Sequence, residues 1–134
     1  MALDCNHTAV GQSWLALVHK YGTPEFAAAF AADAVFDASV LTAPLIGPKA
    51  IGTYFGATTA GLYQEISFTS ETTVGRTTFY QWMGRAFDIQ LNGLTVVTKN
   101  EAGLIQNVRL FHSPYPVVLR FAAELVKRLV RSET

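Results

Sequence analysis

The chain has 134 residues, enough for one domain (1–134) with a single core. Half of its residues are apolar and only 15% are charged, against a usual charged share of roughly 25%. With so few charges to cover the surface, some apolar area is expected to be shared with a second copy, most simply as a homodimer. Ten basic residues balance ten acidic ones, which leaves no global electrostatic case for nucleic acid or an anionic membrane.

Cys5 is the only cysteine, so no intrachain disulfide is available and a reducing compartment is expected. Residues Met1 to His7 have neither the basic start nor the long apolar core of a secretory signal. No apolar run approaches the ~20 residues that span a bilayer. The expectation is a cytoplasmic protein.

In chain order, Val10, Trp14, Leu17, Val18 and Tyr21 recur at helical spacing and predict a helix over Val10–Tyr21, stopped by Gly22. Thr23-Pro24 reads as a cap and first-turn proline of a short helix running to Phe30. After Asp33, the β-branched and aromatic run Ala34–Val40 predicts a strand. Gly47-Pro48 starts a helix running past Tyr54-Phe55, weakened by Gly52 and Gly56.

From Tyr63 onward the texture is that of strands: Glu65–Thr73, then Thr77–Leu91 with Gly84 as a bulge or close approach. Asn92-Gly93 predicts a two-residue hairpin that sets Gln90 opposite Thr95 and Asp88 opposite Val97. Lys99–Gly103 is a second turn and Leu104–Phe111 the last strand. Ser113 is expected to cap a final helix with an apolar stripe of Val118, Phe121, Ala122, Leu125 and Leu129. In that helix Glu124 and Arg128 stand four apart, as an ion pair requires.

Three stretches carry a resemblance: Phe30–Asp37 (FAADAVFD), Gly47–Phe55 (GPKAIGTYF) and Asn100–Arg109 (NEAGLIQNVR). Their order and spacing resemble the nuclear-transport-factor-2-like superfamily, which includes ketosteroid isomerase and the SnoaL-like polyketide cyclases. The resemblance implies an α+β fold. In it a cone-shaped curved antiparallel sheet packs against N-terminal helices and encloses a pocket, here with an extra C-terminal helix. Such domains often form dimers through the sheet. In the isomerase pattern the general base falls at Ala38, with Asp37 as its outward-pointing neighbour. The two oxyanion donors fall near Trp14 and Thr95. None of the three groups is matched, and a one-residue register slip would be needed to turn Asp37 inward.

The remaining candidates come from the residues themselves. If the Asp88 face of its strand lines the cone, a carboxylate among Tyr80, Trp82 and Val97 would be an acid or base of raised pKa; simple alternation instead places that face in solvent. His112, at the end of the last strand, is a proton carrier or an anchor of the following turn. Trp14, Tyr54, Tyr63, Tyr80 and Trp82, with Phe36 on one wall, suit either a pocket for a flat apolar or aromatic molecule or ordinary core packing. No histidine pair or cysteine cluster has metal-ligand spacing, so neither metal nor cofactor is expected. Two readings follow: a cofactor-independent acid/base enzyme (isomerase, dehydratase or cyclase) on an apolar carbonyl compound, using Asp88, His112 or Asp37; or a non-catalytic ligand-binding or dimerisation module.

Overall fold

A computed structural model describes residues 10–133, so the readings on Cys5 and His7 lie outside the described residues. Helix α1 (Gln12–Val18) ends earlier than expected, because Lys20 and Tyr21 donate to the carbonyls of Leu17 and Val18 and tighten the chain into turns. Gly11 starts it in the left-handed region (φ 72°), and its N–H donates to the Glu71 carboxylate at 2.9 Å. This contact pins α1, and with it Trp14, to the sheet. Helix α2 (Pro24–Ala28) is capped as its sequence implies, the Thr23 hydroxyl accepting the Phe26 N–H at 3.2 Å.

Strand β1 (Phe30–Ala38) begins four residues before the expected Ala34, since Phe30 already aligns with Ile105 of β6. Tertiary pairing overrides the local helical look of the alanines here. A two-residue strand β2 (Leu45–Ile46) pairs antiparallel with β1 and has no sequence signature of its own. Helix α3 (Pro48–Thr59) follows, burying Ile51, Tyr54, Phe55 and Thr58. Then come β3 (Gln64–Val74), β4 (Thr77–Ala86), β5 (Ile89–Lys99), β6 (Ile105–Ser113) and α4 (Tyr115–Glu133).

The described strands form one curved sheet in the order β2-β1-β6-β5-β4-β3. The sheet is mixed, because β1 runs parallel to β6 while every other pair is antiparallel. Its inner face carries Phe36, Ala38, Tyr80, Trp82, Thr95, Val97, Val108 and Leu110, all buried against the helices. Its outer face carries Val35, Asp37, Phe79, Met83, Arg109 and Phe111, half-buried or exposed.

Two further expectations are corrected. The β4–β5 turn is at Phe87-Asp88, both with positive φ (55° and 61°), and not at Asn92-Gly93. Thr95 therefore aligns with Tyr80 and Val97 with Thr78, while Asn92 and Gly93 lie within β5 opposite Met83 and Trp82. Secondly, Ser113 is the last residue of β6, paired with Asn92, and caps nothing; the first backbone bonds of α4 are accepted by the Pro114 carbonyl. Helix α4 then packs on α3 and β6 through Val117, Val118, Phe121 and Leu125. No helix among the described residues is long and apolar enough to cross a membrane.

Candidate functional site

A cavity of about 260 Å³ lies between α1, α3 and the inner sheet face. Its walls are mostly apolar: Trp14, Leu15 and Val18 from α1, Phe55 from α3, Ile66 and Phe68 from β3, and Leu110 from β6. Tyr63, Trp82 and Thr95 add polar atoms, and the exposed residues His19 and Glu65 stand at the rim. No lysine, arginine or aspartate lines it among the described residues. The volume is just below the roughly 300 Å³ at which ligand pockets usually begin, so it suits a compact molecule.

Local sequence explains how the walls are held. Trp14 stacks on Tyr80 (centroids 6.2 Å apart, 24° between planes) and meets Phe55 edge-on at 5.9 Å. On the sheet wall the Trp82 indole N–H donates to the Thr95 hydroxyl at 3.0 Å. The Thr95 hydrogen itself has no acceptor among the described residues, so a buried donor is left for a ligand. Glu65 has a positive φ (53°) at a bulge of β3, where the register against β4 shifts. That backbone turns the one acidic side chain of the cavity to its mouth.

Behind the cavity wall runs a chain of hydrogen bonds. The Tyr54 and Tyr63 hydroxyls are 2.6 Å apart, Tyr63 is 2.6 Å from Nε2 of His112, and Nδ1 of His112 is 2.7 Å from the Ser39 hydroxyl. Ser39 also accepts the backbone N–H of His112 at 2.9 Å. His112 is enclosed by Tyr63, which stacks on it with 7° between planes, and by the rings of Trp82 and Phe121. Burial there pushes its pKa down to about 3, so the imidazole is neutral at ordinary pH. Burial likewise raises both phenols above their ordinary value, and Tyr54 and Tyr63 stay protonated. The chain is one of neutral groups.

No protein-family model matches the sequence, and no curated protein sequence matches it. Solved structures do. A steroid delta-isomerase from Pseudomonas aeruginosa superposes with a TM-score of 0.79 at 16% identity, covering 96% of this chain and 94% of that one. The chain has the nuclear-transport-factor-2-like fold. A SnoaL-like family protein from Agrobacterium tumefaciens gives 0.59 at 20% identity over 81% and 97% of the two chains. A ketosteroid-isomerase-like protein from Catenulispora acidiphila, in complex with trimethylamine, gives 0.60 at 13% identity over 86% and 95%.

Within this nuclear-transport-factor-2-like cone, the structure separates the residues singled out from sequence. Trp14, Trp82 and Thr95 line the cavity together. Phe36, Tyr54, Tyr80 and Val97 are buried in the packing behind its walls. Asp88 is in the exposed β4–β5 turn, its carbonyl accepting from Arg85, and is outside the cavity; the shifted hairpin is the reason. Asp37 points to the outer face between the buried Phe36 and Ala38, so the register slip that would have turned it inward does not occur. His112 stands one side chain back, behind Tyr63. Sequence reasoning missed Ser39 and Glu65, and it took Tyr63 only as one aromatic among several. Only the pairing of β1 with β6 brings Ser39 to His112, 73 positions away in sequence. No group of His, Cys, Asp or Glu with metal-holding geometry occurs among the described residues.

Proposed function

We propose that this is a small-molecule pocket protein that performs acid/base chemistry on a compact apolar carbonyl compound, of the isomerase, dehydratase or cyclase type. The observation that carries this reading is Tyr63, which lines the cavity and is hydrogen-bonded at 2.6 Å to both Tyr54 and His112. A phenol that accepts from two neutral partners while donating to a substrate oxygen is a polarised hydrogen-bond donor for a developing enolate. Thr95 supplies a second donor, and Glu65 at the mouth is the carboxylate that takes the proton next to the carbonyl. The fold neighbour from Pseudomonas is a steroid delta-isomerase, which supports the reaction type by analogy of fold only.

The test is a titration of 2-cyclohexenone followed by tryptophan fluorescence, then proton exchange at its acidic carbons in D₂O by NMR. Faster exchange with wild type than with Tyr63→Phe and Glu65→Gln supports the reading. Binding without exchange sinks the catalytic part.

A second reading, a binding and dimerisation module, rests on two observations. Five aromatic rings (Trp14, Phe55, Tyr63, Phe68 and Trp82) with Glu65 at the rim offer cation–π surfaces to a small ammonium, and the Catenulispora neighbour holds trimethylamine. On the outer sheet face, Phe79, Met83 and Phe111 are 37%, 42% and 42% exposed, an apolar patch suited to a homodimer through the sheet. Trimethylammonium run in the same titration separates the two ligand classes. Sedimentation of wild type against Phe111→Glu tests the dimer, and a wild-type monomer removes it.

A further inference from the structure

The geometry points to Ser39 as the solvent end of a proton relay, Ser39–His112–Tyr63, that keeps the cavity acid supplied with its proton. The inference rests on the reading of Tyr63 as that acid.

Counting hydrogens carries the argument. Tyr54 is fully buried, and Tyr63 is its only side-chain hydrogen-bond partner among the described residues, so the Tyr54 O–H must donate to the Tyr63 oxygen. Where the cavity offers Tyr63 no acceptor, the Tyr63 O–H donates to Nε2 of His112, and the Nδ1–H donates to Ser39. The Ser39 hydroxyl, on an exposed residue, donates to water. With a carbonyl oxygen in the cavity, one other arrangement leaves no buried donor unpaired. Tyr63 donates to the ligand, Nε2–H donates to Tyr63, and Ser39 donates to Nδ1. The backbone N–H of His112 holds the Ser39 oxygen in both arrangements, at 2.9 Å.

The second arrangement turns into the first by moving protons along existing hydrogen bonds. The Tyr63 O–H breaks and an O–H forms on the ligand oxygen. The Nε2 proton passes to Tyr63, the Ser39 proton passes to Nδ1, and Ser39 takes one from solvent while Glu65 takes one from the substrate carbon. Each broken bond is matched by one formed, and return of the enol to the ketone runs the sequence backwards. The imidazole passes between its two neutral tautomers and never holds two protons. That suits a ring whose burial disfavours the imidazolium. Ser39 is thus a positioning residue for the tautomer, not a group that touches substrate.

The test uses the whole chain with ¹⁵N-labelled histidine and 2-cyclohexenone as probe. In the empty wild type at neutral pH, NMR is expected to show His112 as the Nδ1–H tautomer, moving toward Nε2–H as the probe saturates the cavity. Ser39→Ala is expected to slow probe proton exchange by about tenfold or more with its Kd unchanged, and Ser39→Thr to restore the rate. The relay is overturned if the empty protein shows an imidazolium or the Nε2–H tautomer, or if Ser39→Ala exchanges at the wild-type rate. Absence of exchange in the wild type would sink the carbonyl reading alone, because the tautomer of the empty protein still decides the relay.

Discussion

The Trp82 indole occupies the space that a side chain on Gly93 would need: a Cβ at Gly93 would stand 2.0 Å from its ring. Gly93 aligns with Trp82 across the β4–β5 ladder, and the indole is held over it by the bond to Thr95 two residues on. Glycine at this point is a floor for a cavity wall and not a turn.

Gly93→Ala should therefore displace Trp82, break its bond to Thr95 and reshape the cavity. Overpacking of this kind costs about 1–3 kcal/mol, read as a lower urea midpoint together with a changed tryptophan emission. An unchanged emission would show that Trp82 does not rest on Gly93.

The two tyrosines should respond unequally to loss of their hydroxyls. Tyr63→Phe leaves the Tyr54 hydroxyl and Nε2 of His112 without partners, and each unsatisfied group costs about 1–3 kcal/mol. Tyr54→Phe leaves the Tyr63–His112 bond in place, for a net loss of about 1 kcal/mol. Chemical unfolding of both variants checks the order. Equal losses would mean that Tyr63 is not the centre of the chain.

Stability should form a plateau bounded by these same residues. His112 falls from an ordinary 6.5 to about 3 in the folded protein, so the unfolded state binds its proton first. Its contribution is whole above pH 6.5 and is lost as pH falls toward 3, by roughly a few kcal/mol. Tyr54 and Tyr63 are raised in the folded state, so their contribution is whole below pH 10 and is lost above it. Unfolding curves across pH, with His112→Gln flattening the acid limb between 6.5 and 3, test the assignment.

Arg128 ties α4 to α3. Its guanidinium donates to the Ala57 and Ala60 carbonyls at 2.9 Å each, satisfying the last turn of α3, and to Glu124 at 3.1 Å. Arg128→Ala should cost about 2 kcal/mol, and Lys should recover only part of it because an ammonium lacks the planar fork. Full rescue by Lys in thermal unfolding would reduce the contact to simple charge.

Asp88→Asn and Asp37→Asn should leave probe binding and exchange at wild-type values, since neither carboxylate lines the cavity. A large loss from either, with unchanged melting temperature, would return that residue to the site.

Much of the architecture was legible in the residues because it rests on short-range physics. The Thr23 cap, the prolines starting α2 and α3, the Asn100–Gly103 turn and the apolar stripe of α4 all depend on groups within a few positions of each other. Trp14 and Trp82 stood out as aromatics with polar tips and Thr95 only through the family pattern; all three side chains line the cavity. Where local signals misled, long-range pairing had the final say. Asn92-Gly93 looks like a hairpin turn, yet the turn forms at Phe87-Asp88, because Gly93 is needed beneath Trp82 and the inner face takes Trp82, Thr95 and Val97 together. That shift of the turn moved Asp88 out of the site.

By itself, then, the sequence determined an α+β chain of this element order apart from β2, with an aromatic inner face and little charge to spend near it. Only the tertiary structure decided the chemistry of the site. Ser39 just after β1, Tyr63 just before β3 and His112 on β6 meet only when β1 lies parallel to β6 and the chain after α3 lies against it. A hydrogen bond reaches about 3 Å whatever the distance along the chain, and no local pattern records such a meeting.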